Sequence, residues 1–170
     1  MSILGELIKF KKKVYKVIEL KDNCNVETLL ELNKYVHQWH VNNYPKIFKD
    51  NEKDLRNYFN NSLERPNTYH FIAYDNSEAI GFIQTQIVET NNSPFRLPQK
   101  LVYINVIVVK PEYQGKGIAQ MLFEKVNELA KKNEISRIEL DHWEGNSRAR
   151  VFFEKMGFKP YRYYLFLDKE

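Results

Sequence analysis

Lys110-Pro111-Glu112-Tyr113-Gln114-Gly115-Lys116-Gly117-Ile118-Ala119 is the stretch on which the reading of this chain turns. A β-branched run, Ile104 to Val109, leads into it, and Ile118, Met121, Leu122, Val126, Leu129 and Ala130 follow at helical spacing. The decapeptide therefore reads as a glycine-loosened turn between a strand and a helix N-terminus. The first turn of a helix leaves backbone N–H groups unpaired and carries roughly half a positive charge. Glycine lets an anion approach the backbone closely. The stretch predicts an anion site of the kind that holds phosphate.

Phosphate-binding turns differ in spacing. A Walker loop places four residues between its first glycine and Gly-Lys-Ser/Thr, whereas Gly117 is followed by Ile118 and Ala119. A dinucleotide-binding Gly-x-Gly-x-x-Gly requires glycine where Gln120 stands and usually opens a repeated βαβ unit. Neither fits. The turn instead resembles the Gln/Arg-x-x-Gly-x-Gly/Ala signature of the GNAT acetyltransferases, through Gln114, Gly117 and Ala119. A second segment strengthens the resemblance. Asn146-Ser-Arg-Ala149-Arg-Val-Phe152-Phe153-Glu-Lys-Met-Gly157-Phe158 is similar along its whole length to that family's Asn-x-x-Ala-x-x-Phe-Tyr-Glu-Lys-x-Gly-Phe pattern.

The resemblance implies an acyl-CoA N-acyltransferase (GNAT) fold, with the acetyl-CoA-binding core at residues 101–158. It implies acetyl transfer from acetyl-CoA to a primary amine of a small molecule by direct attack in a ternary complex, the alternatives being acetylation of a protein N-terminus or lysine side chain, and acyl-CoA binding without catalysis. Backbone groups of Ile107, Val108 and Val109 are then expected to meet the pantetheine arm. The amides of Gln114, Gly115, Lys116, Gly117, Ile118 and Ala119 are expected to hold the pyrophosphate, and Asn146 to bond the coenzyme near its pantetheine amides.

Two positions depart from the family pattern. Its usual thiolate-protonating tyrosine is replaced by Phe153, which cannot donate a proton and is kept only as a coenzyme-side residue. A carboxylate common before the first motif is replaced by Asn105, which can order water but cannot act as a base at neutral pH. Asn105 and His142 are the catalytic candidates, the latter because an imidazole suits proton transfer near neutrality. Tyr161, Tyr163, Tyr164, Ser147 and Glu144 are further groups between which the sequence does not choose.

Working outward, residues 1–10 form a short amphipathic helix in this reading, and 13–20 alternate as a strand. A helix over 25–40 carries Leu29, Leu32, Val36 and Trp39 on its apolar arc, with Asn33, His37 and His40 on the adjoining stripe. Those polar groups either satisfy one another or line a wet cavity. The segment 37–48 resembles the acceptor-side helix and loop of many family members. It makes His37, His40, Tyr44 and Phe48, together with Glu89 and Trp143, the acceptor-side candidates. A second helix spans 52–64, a hairpin joins strands 68–75 and 79–89, and further strands are expected at 101–109, 137–142 and 161–167. A helix over 146–156 is closed by Gly157. The order β-α-α-β-β-β-α-β-α-β predicts an α/β protein, a central twisted mixed sheet flanked by helices.

The 170 residues suit one domain over 1–170, with 1–12 as an N-terminal extension. A hydrophobic fraction of 43% argues against disorder. No apolar run approaches the roughly 20 residues that span a bilayer, and Glu6 and Lys9 interrupt any signal-like segment. The expectation is a cytoplasmic protein without a membrane partner. Cys24 is the single cysteine, so no intrachain disulfide and no cysteine-cluster metal site is expected. A net charge of +4, with Lys9, Lys11, Lys12 and Lys13 as a solvated lead-in, falls short of a nucleic-acid surface. The expected partner is a small-molecule amine, no metal is called for, and a homodimer is left open.

Overall fold

Near-continuous apolar runs decide which strands lie at the centre. In the computed structural model, which describes residues 15–20 and 26–169, β2 (Thr68–Asp75) and β3 (Glu78–Thr90) carry such runs. That is the pattern of strands covered on both faces. They lie inside a five-stranded sheet of order β1-β2-β3-β4-β5, with β1 at Lys16–Leu20, β4 at Gln99–Val109 and β5 at Ile138–Leu140. The pairs β1–β2, β2–β3 and β3–β4 are antiparallel. A helical crossover joins β4 to its neighbour β5, as parallel strands require, so the sheet is mixed.

Helices α1 (Val26–Asn43) and α2 (Glu52–Glu64) cover one face. Leu29, Leu30 and Leu32 of α1 and Phe59 of α2 gather with Ile72, Phe82 and Val108 of the sheet into one buried cluster. Helix α3 (Ile118–Lys132) packs on β2, β3 and β4 with Ile118, Leu122, Phe123, Val126, Leu129 and Ala130 buried. The alternation of side chains along the strands leaves it the opposite face. Strands β3 and β4 come so close at Gly81 that a Cβ there would lie 2.6 Å from the Val108 carbonyl oxygen. Only glycine permits that approach.

The described residues form two compact units that divide between Glu139 and Leu140. The second unit holds α4 (Ser147–Lys155). Its C-terminus closes on Gly157, at φ 90°, with Gly157 N–H donating to Glu154 O at 3.0 Å and Phe158 N–H to Phe153 O at 3.0 Å. These two bonds make a Schellman cap.

The expected hairpin, the four helices from 25 onward and the strands of the sheet are present. The strand expected over 161–167 is absent: residues 158–169 hold neither helix nor strand. Its composition suits a strand, but a strand exists only where its backbone finds a partner. The helix expected over 1–10, the lysines at 9 and 11–13, and Cys24 lie outside the described residues. Among the described residues no helix is long and apolar enough to cross a membrane.

Candidate active site

Strand β4 ends at Val109, the chain makes a single 3₁₀ turn over Pro111–Tyr113, and α3 begins after Gly117. Gly115 and Gly117 have φ of 77° and 82°, a region that costs an L-residue about 1–2 kcal/mol. A Cβ at either position would meet no atom within 4 Å, so the turn opens onto free space. Gly117 supplies no side-chain cap, which leaves the first N–H groups of α3 without a capping acceptor. These residues fit an anionic group such as a diphosphate.

Side chains of the same turn are spent on bracing it. Gln114 Nε2 donates to the Val109 carbonyl at 2.9 Å, folding the turn back onto the strand end. Tyr113 is buried, and its hydroxyl lies 2.9 Å from Glu78 Oε2 and 3.0 Å from Asp75 Oδ2. The hydrogen bond to Glu78, then burial and the Asp75 carboxylate, push the phenol well above its ordinary range, so it stays a donor. Lys110 Nζ donates to Glu78 Oε1 at 2.7 Å, and this bond holds the Glu78 carboxyl below its ordinary value. Lys116 Nζ sits 4.9 Å from the Tyr113 ring centroid. The turn is thereby fastened to the β2–β3 hairpin.

Along β4, Val106 pairs with Gln84 and Ile104 with Thr85, so the register skips Asn105. That extra residue is a β-bulge, a device that re-aims side chains beside active sites. Asn105 is exposed. Val108 and Val109 are buried, and Ile107 is half-buried. Val102 N–H donates to Arg137 O at 3.0 Å just before β5 starts. β5 has three residues against eleven in β4, so residues 106–109 run on past it.

The C-terminal end of α1 is tied to the loop that follows. His37 Nε2 donates to the Lys49 carbonyl at 3.0 Å, and the His40 ring stacks on Phe48 at 4.7 Å. Trp39 meets His40 and Tyr44 edge-on. A cleft of about 290 Å³ opens beside this knot, its apolar wall formed by Ile47, Phe48, Leu55 and Tyr58. Its acidic rim residue, Asp54, is ion-paired with Lys49. Tyr58 donates to the buried Gln84 Oε1 at 3.0 Å, and Gln84 faces Val106 across the ladder, one residue beyond the bulge. Beneath the cleft Ser62 Oγ donates to Phe59 O at 2.9 Å and lies 3.0 Å from His70 Nε2. Burial pushes His70 down to about 4. This serine and histidine are both fully buried, so the pair is structural.

Glu89 stands apart. It is exposed near the far end of β3, ion-paired with Lys100 at 3.1 Å, while the turn adjoins the Gly81 end of that strand. The remaining candidates belong to the second unit. Asn146 Oδ1 accepts from Ala149 N–H at 3.1 Å as the N-cap of α4. His142 Nδ1 donates to the Trp143 carbonyl at 3.2 Å. Phe153 is buried between Phe152 and Phe158, with ring centroids 5.2 and 5.5 Å away. It supplies the apolar contact that accompanies a Schellman cap, and Phe153 followed at the right distance by Gly157-Phe158 is a signal the sequence offered. Tyr58, Gln84 and the Asp75–Glu78–Tyr113 brace had no local signal.

Among the described residues no group of His, Cys, Asp and Glu gathers that could hold a metal ion. The model of the acetyltransferase (GNAT) family matches residues 33–158. An uncharacterized N-acetyltransferase of Archaeoglobus fulgidus is 34% identical over 104 residues, covering 60% of this chain and 67% of its own. N-alpha-acetyltransferase 30 of Schizosaccharomyces pombe is 27% identical over 153 residues, covering 86% of this chain and 84% of its own. Among solved structures, the aminoglycoside N-acetyltransferase AAC(6')-Iy, in complex with the bisubstrate analog CoA-S-monomethyl-acetylneamine, superposes with a TM-score of 0.72 at 17% identity, covering 92% of this chain and 99% of that one. That likeness is one of fold.

Proposed function

Because this chain belongs to the acetyltransferase (GNAT) family and is an N-acetyltransferase, we propose that it transfers the acetyl group of acetyl-coenzyme A to the primary amine of a small molecule bearing an apolar group. The observation that carries the reading is the turn at 110–119, with two left-handed glycines, an uncapped helix start and open space before them. Bound acetyl-coenzyme A supplies an activated thioester, whose carbonyl carbon gains the amine nitrogen and loses the sulfur.

The chain's own residues do the rest. Amides of 114–119 bind the diphosphate, with Gln114 holding the turn's shape rather than contacting the ligand through its side chain. Backbone groups of 107–109 align the pantetheine arm and polarise the carbonyl oxygen as charge develops on it. Asn105, exposed at the bulge, orders water that accepts the amine's proton. Asn146 keeps its Nδ2 donors outside the helix cap and offers them to the coenzyme. His142 and Trp143 lie in the strand-to-helix connection before α4 and stay candidates for proton transfer and acceptor contact. Phe153 is absorbed in packing and moves no proton. Rate enhancement then comes from positioning and from backbone dipoles.

The cleft supports the apolar acceptor. Ile47, Phe48, Leu55 and Tyr58 form its wall, and the carboxylate at its rim is already paired. A polycation finds no spare carboxylate among these lining residues. The reaction belongs in the cytoplasm on this reading, which suits a chain with a single cysteine.

Titration calorimetry with acetyl-coenzyme A tests the first half, and absence of binding overturns it. Thiol release across an amine panel tests the second: arylalkyl and alkyl amines are expected to outpace polycationic amino sugars, and the reverse order overturns the apolar acceptor. A second reading, acetylation of a peptide N-terminus, is favoured by the likeness to N-alpha-acetyltransferase 30 over most of both chains. Faster turnover of short peptides than of any amine in the panel would select it.

A further inference from the structure

Two of the three polar groups on the stripe of α1 find partners: His37 donates to the Lys49 carbonyl, and the His40 ring stacks on Phe48. Asn33, one turn before His37, does not. Among the described residues the buried polar side chains are Asn33, Ser62, His70, Asp75, Gln84 and Thr85. Ser62 and His70 meet each other, Asp75 and Gln84 accept from Tyr113 and Tyr58, and Thr85 Oγ1 donates to the Tyr103 carbonyl. Asn33 is 6% exposed, and its amide makes no hydrogen bond among the described residues. An unpaired amide out of water costs free energy, and each such group in a native fold calls for an explanation. The fully enclosed side-chain atom without a partner is Thr68 Oγ1, at the start of β2, and neither atom of the Asn33 amide. That amide therefore keeps a narrow opening to the outside. Its place in the fold says what could use the opening. Helix α1 packs on β3 and β4. Leu29 and Leu30, one turn before Asn33, share a buried cluster with Val108 of β4, and Val36 and Val106 pack against that cluster. One turn after Asn33, His37 lines the cleft whose Tyr58 bonds Gln84, the residue opposite Val106. Asn33 thus stands on the length of α1 that runs from the Val108 cluster to the cleft, and all of these residues belong to the first unit.

We propose that Asn33 is an acceptor-binding residue: its Oδ1 accepts an N–H of a neutral primary amine that has entered by the cleft, and so aims the nitrogen lone pair at the thioester carbonyl. This rests on the acetyl-transfer reading and adds to it the group that orients the nucleophile. An amide suits the task. Attack requires the unprotonated amine, and a carboxylate in the same place would favour the ammonium instead. The amide oxygen accepts an N–H without bringing a charge. Asn33 neither gives nor takes a proton, so the amine's proton leaves through the water ordered by Asn105. A neutral primary amine has two N–H groups, one for Asn33 and one for that water, and a tertiary amine has none. A site built to bond an N–H rejects analogues that lack it, because its own buried polar group is then left unpaired.

Asn33→Leu, which keeps the branched shape, tests the proposal, with Asn33→Ala as a smaller second variant. Transfer to 2-phenylethylamine and to hexylamine is followed by thiol release, coenzyme affinity by calorimetry, and stability by thermal unfolding. In both variants the acceptor kcat/KM is expected to fall at least about tenfold, with the Kd for acetyl-coenzyme A unchanged. In the better packed of the two the thermal midpoint is expected to rise by about 2–4 °C, because an unpaired polar group has left the interior. Stability gained while acceptor use is lost marks a group kept for a ligand. A midpoint that rises in neither variant points to a structural role and overturns the proposal. An acceptor kcat/KM within about twofold of wild type, or a coenzyme Kd that rises as much as acceptor use falls, overturns it as well. A wild-type protein that binds acetyl-coenzyme A but acetylates neither amine removes the small-amine reading and the role of Asn33 with it. One that acetylates them, with variants that do so equally well, removes the role of Asn33 alone.

Discussion

In the turn at 110–119 the side chains of Tyr113 and Gln114 are turned to the protein, and the backbone at Gly115 and Gly117 opens onto free space. Gln114 is bonded to Val109, and Tyr113 lies between Asp75 and Glu78. In the cleft between α1 and α2 the reverse holds. The main chain there is occupied by the helix and by the Lys49 carbonyl, which accepts from His37, and Ile47, Phe48, Leu55 and Tyr58 meet whatever enters. A backbone site is generic and suits a ligand common to a whole family. A side-chain site is particular and suits the acceptor that distinguishes one member from another.

Acid should separate the two regions most sharply. His70 underlies the cleft through Ser62 of α2, and burial lowers it to about 4 against 6.5 in the open chain. The folded state therefore resists a proton that the unfolded state accepts, and stability present above pH 6.5 is lost as pH falls toward 4. The loss reaches about 3 kcal/mol. Urea unfolding at pH 7.5 and pH 4 measures it, and His70→Gln should flatten that dependence. Local hydrogen exchange should rise first in α2 and only later in α3; the opposite order would dissolve the distinction drawn here.

Gly117→Val attacks the other side. A β-branched residue at φ 82° strains the turn and puts methyl groups into the space proposed for the diphosphate. Coenzyme Kd should rise about 100-fold, roughly 2.8 kcal/mol, with the thermal midpoint lowered by only a few degrees. Tyr113→Phe keeps the ring against Lys116 and removes the hydroxyl from between two carboxylates. Its calorimetric Kd should rise about tenfold, as expected for loss of a hydrogen bond to a charged group. Tyr58→Phe should be mildest. Losing the bond to Gln84 costs about 1 kcal/mol, and should raise the acceptor KM a few-fold while leaving coenzyme affinity unchanged. A change in coenzyme affinity of the size expected for Tyr113→Phe would mean that cleft and turn are one site.

The same contrast explains what the sequence revealed. The turn was legible because backbone chemistry imposes a spacing, and Gln114, Gly117 and Ala119 keep it. The hairpin was legible from Asp75 to Glu78, where Asn76 takes φ 55°, and the end of α4 from Gly157. All of these are local. The brace on Tyr113 was not, because its carboxylates are 38 and 35 residues away in the chain. His37 and His40 were visible as polar groups on an apolar stripe, but their partners, the Lys49 carbonyl and the Phe48 ring, arrive only when the loop folds back. The tail was misread for the complementary reason. Its pattern describes a strand correctly, and pattern alone supplies no neighbour.

The two tryptophans divide the molecule for an optical measurement. Trp39 packs edge-on against His40 and Tyr44, and His40 stacks on Phe48 of the cleft wall; Trp143 belongs to the second unit, and the turn at 110–119 holds neither. In a Trp143→Phe protein the remaining indole reports from the C-terminal end of α1, one ring away from the cleft wall. Its emission should shift when an amine enters and stay nearly still when the diphosphate end of the coenzyme is titrated with a nucleotide fragment. The fold thus carries a fluorophore one ring away from the wall of the cleft proposed for the acceptor.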